Sequence, residues 1–176
     1  MDLKSYIRSI PGFPKSGIVF RDITTLLKEP DALKAAVEAL AEPFVEDGVD
    51  LVVAAEARGF IFGGAVACLL KAGFVPIRKP KKLPAASVQK TYQLEYGTDA
   101  LAVHRDAIKP GQRVLVLDDL LATGGTVAAC CDLVEELGGK VVACAFLIEL
   151  SYLGGRSKLA GRRVVSLIDY PAEDAQ

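Results

Sequence analysis

The chain has 176 residues, 21 of them basic and 22 acidic, for a formal net charge of −1. That length suits one domain, which buries roughly 70% of its unfolded surface, and the near-neutral balance excludes the basic footprint that nucleic-acid binding needs. The N-terminus lacks an apolar signal core and no apolar stretch reaches the ~18 residues of a membrane helix, so a cytoplasmic protein with no membrane partner is expected. Cys68, Cys130, Cys131 and Cys144 match no zinc or redox spacing; they are expected to be reduced, buried and hydrophobic in role.

In chain order, Leu3, Tyr6, Ile7 and Ile10 share one face of a short helix expected over 3–10. Residues 11–30 are broken by Pro11, Gly12, Pro14, Gly17 and Pro30 and read as irregular around a short apolar piece at 18–20. Leu33, Val37, Leu40 and Phe44 mark an amphipathic helix over 31–46. Leu51–Ala55 is an apolar strand ending on Glu56-Ala57-Arg58-Gly59. A helix over 60–72 is expected to be capped by Gly73, and a strand at 75–77 closes on Arg78-Lys79-Pro80-Lys81-Lys82.

Residues 83–93 are polar and without pattern, so a loop is expected. Strands at 94–96 and 100–103 read as a hairpin around Gly97. Pro110-Gly111 turns the chain into the most apolar strand, 114–117. A helix over 125–137 stops at Gly138-Gly139, and strands follow at 141–148 and 164–168. Continuous apolar strands alternating with helices predict an α/β fold with a twisted, mainly parallel sheet flanked by helices. Ligands of such sheets bind beyond the carboxyl ends of the strands. Segments 56–59, 78–82 and 118–126 should therefore meet at one edge.

The segment Asp118-Asp119-Leu120-Leu121-Ala122-Thr123-Gly124-Gly125-Thr126 carries the chemistry. An apolar strand runs into two acids, a small-residue turn and a helix. Gly124 and Gly125 allow close backbone approach. N–H groups at a helix start, with the Thr123 and Thr126 hydroxyls, form a nest for a phosphate. Two ionised carboxylates beside it would repel that phosphate but accept hydrogen bonds from a diol. The pattern describes ribose 5-phosphate. On residues alone, a plain strand-to-helix connection and a metal site on the paired acids both stay open. Dinucleotide and nucleoside triphosphate loop fingerprints are absent.

This segment resembles the phosphoribosyl pyrophosphate (PRPP) signature of the type I phosphoribosyltransferase family. The chain is similar to the adenine-using members over roughly residues 5–170. The further matching segments are Phe13-Pro14, 17–23, 57–63, Arg78-Lys79, Lys82-Leu83-Pro84, and Tyr92 with Leu94-Glu95-Tyr96-Gly97. The resemblance implies one phosphoribosyltransferase domain over 1–176, with a small N-terminal base-binding hood in 1–30 and a flexible lid at 81–93. It implies transfer of 5-phosphoribose from PRPP to adenine, giving AMP and pyrophosphate, by a homodimer.

The implied roles fall on specific residues. Asp118, Asp119, Ala122, Thr123, Gly124, Gly125 and Thr126 would hold the phosphate and ribose. Ala57, Arg58, Arg78, Lys79 and Lys82 would bind pyrophosphate, Ala57 through its backbone only, in a turn that in the family often contains a cis peptide. Val19, Phe20, Arg21 and Leu120 would bind adenine, with Phe20 stacking on the ring and backbone groups reading its edge. Glu95 would manage the proton at N9. Mg²⁺ would be held by PRPP and water, with no direct protein ligand. The alternatives are a transferase for a 6-oxopurine, a PRPP-sensing regulator that binds nucleic acid, and a non-catalytic nucleotide-binding module; the hood sequence, the net charge, and Glu95 with the lid speak against them in turn. His104, the single histidine, is expected at the surface.

Overall fold

A computed structural model of the chain describes residues 1–93 and 98–173. After a 3-10 turn at Leu3–Tyr6, strands β1 (Arg8–Pro11) and β2 (Val19–Asp22) pair antiparallel. Helices α1 (Thr24–Leu27) and α2 (Pro30–Ala41) follow, then β3 (Leu51–Ala55), α3 (Gly59–Leu70) and β4 (Gly73–Ile77). The hairpin β5 (Ser87–Gln93) and β6 (Thr98–His104) precedes β7 (Arg113–Leu121), α4 (Gly125–Glu136), β8 (Lys140–Leu150) and β9 (Val164–Tyr170).

Five of these strands form one parallel sheet in the order β4-β3-β7-β8-β9. Side chains of a strand alternate between faces, and the core is split accordingly. Leu115 and Leu117 of β7 pack with Phe62 and Val66 of α3 and Leu40 of α2. Val114 and Val116 pack with Val127, Cys130 and Leu133 of α4. Each fully buried Leu or Val contributes about 1.5–3 kcal/mol, so the sheet is clamped from both faces.

This topology positions the site. The chain leaves β3 through α3 to reach β4 on one side, and leaves β7 through α4 to reach β8 on the other. The strand order therefore reverses between β3 and β7, and a crevice opens beyond their carboxyl ends. The hairpin β5–β6 closes one flank. It bridges to the end of β4 through Arg78 and Ala102, each N–H donating to the other's carbonyl, and Lys90 pairs with Asp132 of α4 at 3.0 Å.

Several expectations need correction. Only 3–6 is helical at the N-terminus; 8–11 is a strand, because Ile10 pairs with Phe20 across the hairpin. Residues 19–22, expected to be irregular, supply its other strand. Lys71 (φ 55°), not Gly73, ends α3, and Gly73 opens β4. Residues 87–93 of the supposed loop 83–93 form strand β5, and its hairpin partner β6 begins at Thr98; residues 94–97, with the expected strand at 94–96, lie outside the described residues. Cys130, Cys131 and Cys144 are buried but Cys68 is exposed; all four are free. His104 ends β6, half-buried, where its Nε2 accepts from the Ala85 N–H at 3.4 Å.

Candidate active site

At the crevice strand β7 continues past its apolar run to Leu121, so both acids sit within the strand rather than after it. Alternation then sends Asp118 and Asp119 in opposite directions. Asp119 is 5% exposed and its Oδ2 accepts from Arg58 Nε at 2.5 Å. Asp118 Oδ1 accepts the Asp119 N–H at 2.9 Å and lies against Gly59, where a Cβ would come within 2.8 Å of it. Burial first, and the Asp119 charge second, raise the Asp118 carboxyl well above the ordinary carboxylate range. Two ionised carboxylates facing a diol were expected; the two acids differ, since Asp119 has the arginine as partner and the Asp118 carboxyl is pushed up.

Past the strand, Ala122, Thr123 and Gly124 turn the chain into α4, with Gly124 at φ +78°. The N–H groups that open this twelve-residue helix have no intrahelical acceptor, and they carry the positive end of its dipole. Together with Arg58, Asp118, Asp119, Leu120, Thr123 and Thr126 they line a cleft of about 200 Å³. The elements expected to hold phosphate and ribose thus share one concave surface with Arg58 and Leu120.

Arg58 sits at the start of α3, after a cis peptide between Glu56 and Ala57. Its guanidinium carbon is also 5.6 Å from the centroid of Phe20, whose ring meets Phe13 edge-on at 5.3 Å. The β1–β2 hairpin therefore reaches the crevice. Asp22 anchors it, accepting from Arg8 Nη2 at 2.5 Å and from the Thr24 N–H and hydroxyl; these bonds, led by Arg8, pull its pKa down to about 2. The Arg21 side chain turns inward, donating to Ser9 Oγ at 2.6 Å and lying 3.9 Å from the Tyr170 ring centroid. Of Arg21, the backbone is what the crevice can use. Among the described residues β2 pairs with β1 alone, so the backbone groups of its other edge have no strand partner.

The basic cluster is less free than its charge suggests. Arg78 donates twice to Glu56 Oε2, at 3.1 and 3.0 Å, and the Lys79 N–H donates to Oε1 at 2.7 Å. The Lys79 N–H first, then Arg78, hold the Glu56 carboxyl below its usual range against the opposing effect of burial. The Lys79 ammonium pairs with Asp99, whose hydrogen bond lowers that acid's pKa. Lys82 makes no salt bridge among the described residues, though its carbonyl accepts from Arg78 Nη1 at 3.3 Å. Sequence reasoning gave no role to Glu56, Asp99 or the Tyr92 phenol, whose oxygen is 3.2 Å from Thr126 Oγ1. Glu56 had one signal, an acid at the carboxyl end of a parallel strand. Glu95 lies outside the described residues.

Residues 23–169 match the family profile of the phosphoribosyl transferase domain. This chain belongs to the phosphoribosyltransferase family. It is 59% identical to adenine phosphoribosyltransferase of Symbiobacterium thermophilum, over 97% of this chain and 100% of that one. The protein of the same name from Rhodopirellula baltica is 56% identical over 100% of this chain and 85% of its own. The crystal structure of adenine phosphoribosyltransferase from Thermoanaerobacter pseudethanolicus superposes with a TM-score of 0.93 at 52% identity, covering 96% and 98% of the two chains. The Saccharomyces cerevisiae adenine phosphoribosyltransferase, complexed with an imino-altritol bisphosphate and adenine, gives 0.88 at 38% identity over 94% and 96%. The mainly parallel five-stranded sheet is thus the phosphoribosyltransferase fold of type I. Among the described residues, no helix is long and apolar enough to cross a membrane.

Proposed function

We propose that this phosphoribosyltransferase transfers 5-phosphoribose from PRPP to adenine, giving AMP and pyrophosphate. The observation that carries the proposal is the cleft in which the 122–126 turn, the Asp118–Asp119 pair and Arg58 share one surface with Phe20 beside it. A phosphate dianion fits the N-terminus of α4, where N–H groups and dipole both favour it. The ribose then lies over Asp118 and Asp119, and a purine lies between Phe20 and Leu120. Backbone groups of Val19, Phe20 and Arg21 read the base edge, adenine presenting donor and acceptor in one order and 6-oxopurines in the reverse.

As the C1–O bond breaks, positive charge grows on the ribose and negative charge on pyrophosphate. Arg58, with Arg78, Lys79, Lys82 and the Ala57 backbone, stabilises the leaving group, and fixed charges act strongly in a partly dry site. The phosphate turn and the acids hold C1 so that N9 attacks from the opposite face. Glu95 takes the N9 proton. Among the described residues no three His, Cys, Asp or Glu side chains converge, and Asp119 is engaged by Arg58. Mg²⁺ would ride on PRPP oxygens and water and when bound would neutralise the departing pyrophosphate.

A homodimer and a cytoplasmic location complete the reading. Helix α3 has no polar side chain between Gly59 and Cys68, and its outer face leaves Ile61 44% and Leu69 51% exposed. A second copy of the chain suits that face, and four free cysteines suit a reducing compartment.

The deciding experiment incubates the protein with Mg²⁺, PRPP and each purine base, following nucleotide formation. AMP from adenine alone is expected. Product from hypoxanthine or guanine but not adenine overturns the substrate, and no product from any base overturns catalysis. Glu95→Ala should keep PRPP affinity and lose about 10²–10⁴-fold in turnover; loss of PRPP binding in that variant would remove Glu95 from its role.

A further inference from the structure

The phosphate turn is held from behind by a second turn, and the contact is backbone against backbone. A Cβ on Gly124 would strike the carbonyl oxygen of Gly155 and approach its Cα to 3.3 Å. A Cβ on Gly155 would strike the carbonyl oxygen of Ala122 and come within 3.0 Å of Leu121 Cδ1. Two glycines 31 positions apart, Gly124 and Gly155, thus permit an approach that no other residue pair would allow.

The rear turn is itself pinned at both ends. Glu149 lies on β8 directly across from Leu121 of β7, at the level where the phosphate turn begins. It is 4% exposed, and its two oxygens accept from Arg156 Nε and Nη2 at 2.6 and 2.7 Å. Such a two-point charged pair fixes direction as well as distance. Arg156 holds Glu149 below the usual carboxylate range. Arg156 Nη1 also donates to the Val164 carbonyl at 3.3 Å. Four residues after Gly155, Leu159 is buried in the core that includes Val127 and Cys130 of α4. Gly154, at φ +65°, lets the chain double back between these anchors.

We infer that Gly155, locked by the Glu149–Arg156 pair, is a positioning residue that keeps the 122–125 backbone in its anion-binding shape. None of the three is itself part of the cleft wall. They act through Ala122 and Gly124. The inference rests on the proposed function, because it concerns the turn that takes the 5-phosphate of PRPP.

The test measures ribose 5-phosphate binding by calorimetry, together with KM for PRPP and for adenine and the melting temperature. Wild type is compared with Gly155→Ala, Arg156→Met, Arg156→Lys and, as a control in the same turn, Lys158→Ala. A displaced turn should weaken ribose 5-phosphate and raise KM for PRPP by about tenfold or more in Gly155→Ala and Arg156→Met. KM for adenine should stay within about twofold and Arg156→Lys should recover part of the loss, since adenine does not use the turn and lysine keeps the charge but not the fork. Lys158, exposed and unpaired with Glu149, should leave both constants unchanged. If Gly155→Ala does not fold, the two Arg156 variants carry the comparison alone. Variants that bind ribose 5-phosphate like wild type overturn the positioning role while the proposed function stands. Parallel losses for PRPP and adenine that track a lowered melting temperature also overturn it, showing a structural role only. A wild type that binds no ribose 5-phosphate overturns the functional reading and this inference with it.

Discussion

The two regions proposed to bind the anionic ends of PRPP are built by opposite means. The 122–126 turn is made of backbone. Its donors come from the start of α4 and its shape from Gly124 against Gly155. The 78–82 region is made of side-chain charge, and part of that charge is already engaged: Arg78 with Glu56, Lys79 with Asp99. Arg58 is in the same state, paired with Asp119. On the proposed function, a phosphate entering the turn meets uncharged backbone donors at a helix start, whereas a pyrophosphate would compete with carboxylates for Arg78, Lys79 and Arg58. On that reading the first region is preorganised and the second exchanges partners as ligand arrives.

Substitutions can break or sharpen that contrast. The largest effect is expected from Gly124→Val, which places a branched Cβ at φ +78° and into the Gly155 carbonyl. Ribose 5-phosphate affinity should fall by about 10²-fold or more in calorimetry, while inorganic pyrophosphate inhibition changes little. Equal losses at both ends would mean the regions are not separately built.

Arg58→Met comes next. It strips the cation from the nearly buried Asp119 and from the leaving group together, and kcat/KM for PRPP should drop by roughly 10–10²-fold, within the range for one electrostatic stabiliser. Glu56→Gln is the sharper probe. It removes the acid that holds Arg78, so pyrophosphate should inhibit about two- to fivefold more tightly, matching the ~0.2–1 kcal/mol of an exposed ion pair. Weaker inhibition would show that Glu56 aims Arg78 rather than competing for it.

The smallest expected effect concerns Asp118 and pH. Its carboxyl is raised in the folded chain, so the folded state keeps a proton that the unfolded chain releases. That contribution is fully present below the ordinary carboxylate pKa and is lost as pH rises through the raised value. Asp118→Asn should therefore match wild type near pH 3 and gain in melting temperature relative to it as pH climbs toward 8. A difference that is flat with pH would place the proton elsewhere.

Much of this was legible in the order of residues. Strand β3, strand β7 and helix α4 declare themselves because a strand buried on both faces must be continuously apolar, and because the small-residue turn at Gly124-Gly125 marks where strand gives way to helix. Convergence of 56–59, 78–82 and 118–126 followed from the class of sheet. What was not legible is pairing across distance. Leu3, Tyr6, Ile7 and Ile10 fit a helical face, yet Ile10 is claimed by Phe20 in a hairpin. Ser87, Gln89, Lys90 and Thr91 look like loop because the hairpin leaves part of β5 in water. The bonds from Glu56 to Arg78 and Arg58 to Asp119 span 22 and 61 residues, and no local spacing announces them. Gly155 looks like an ordinary turn glycine until Ala122 is seen against it.

The edge of β2 that no described strand covers has a consequence for how this protein could change its diet. A strand edge offers N–H and C=O groups in alternation, and every amino acid except proline offers the same two. If that edge reads the base, its preference is spelled in the offset of the strand and not in the letters along it. Swapping side chains at 19–21 would then alter grip while leaving the choice between 6-amino and 6-oxo rings intact. A new preference would come from sliding the hairpin, for instance by lengthening the 12–18 turn, so that an acceptor stands where a donor stood.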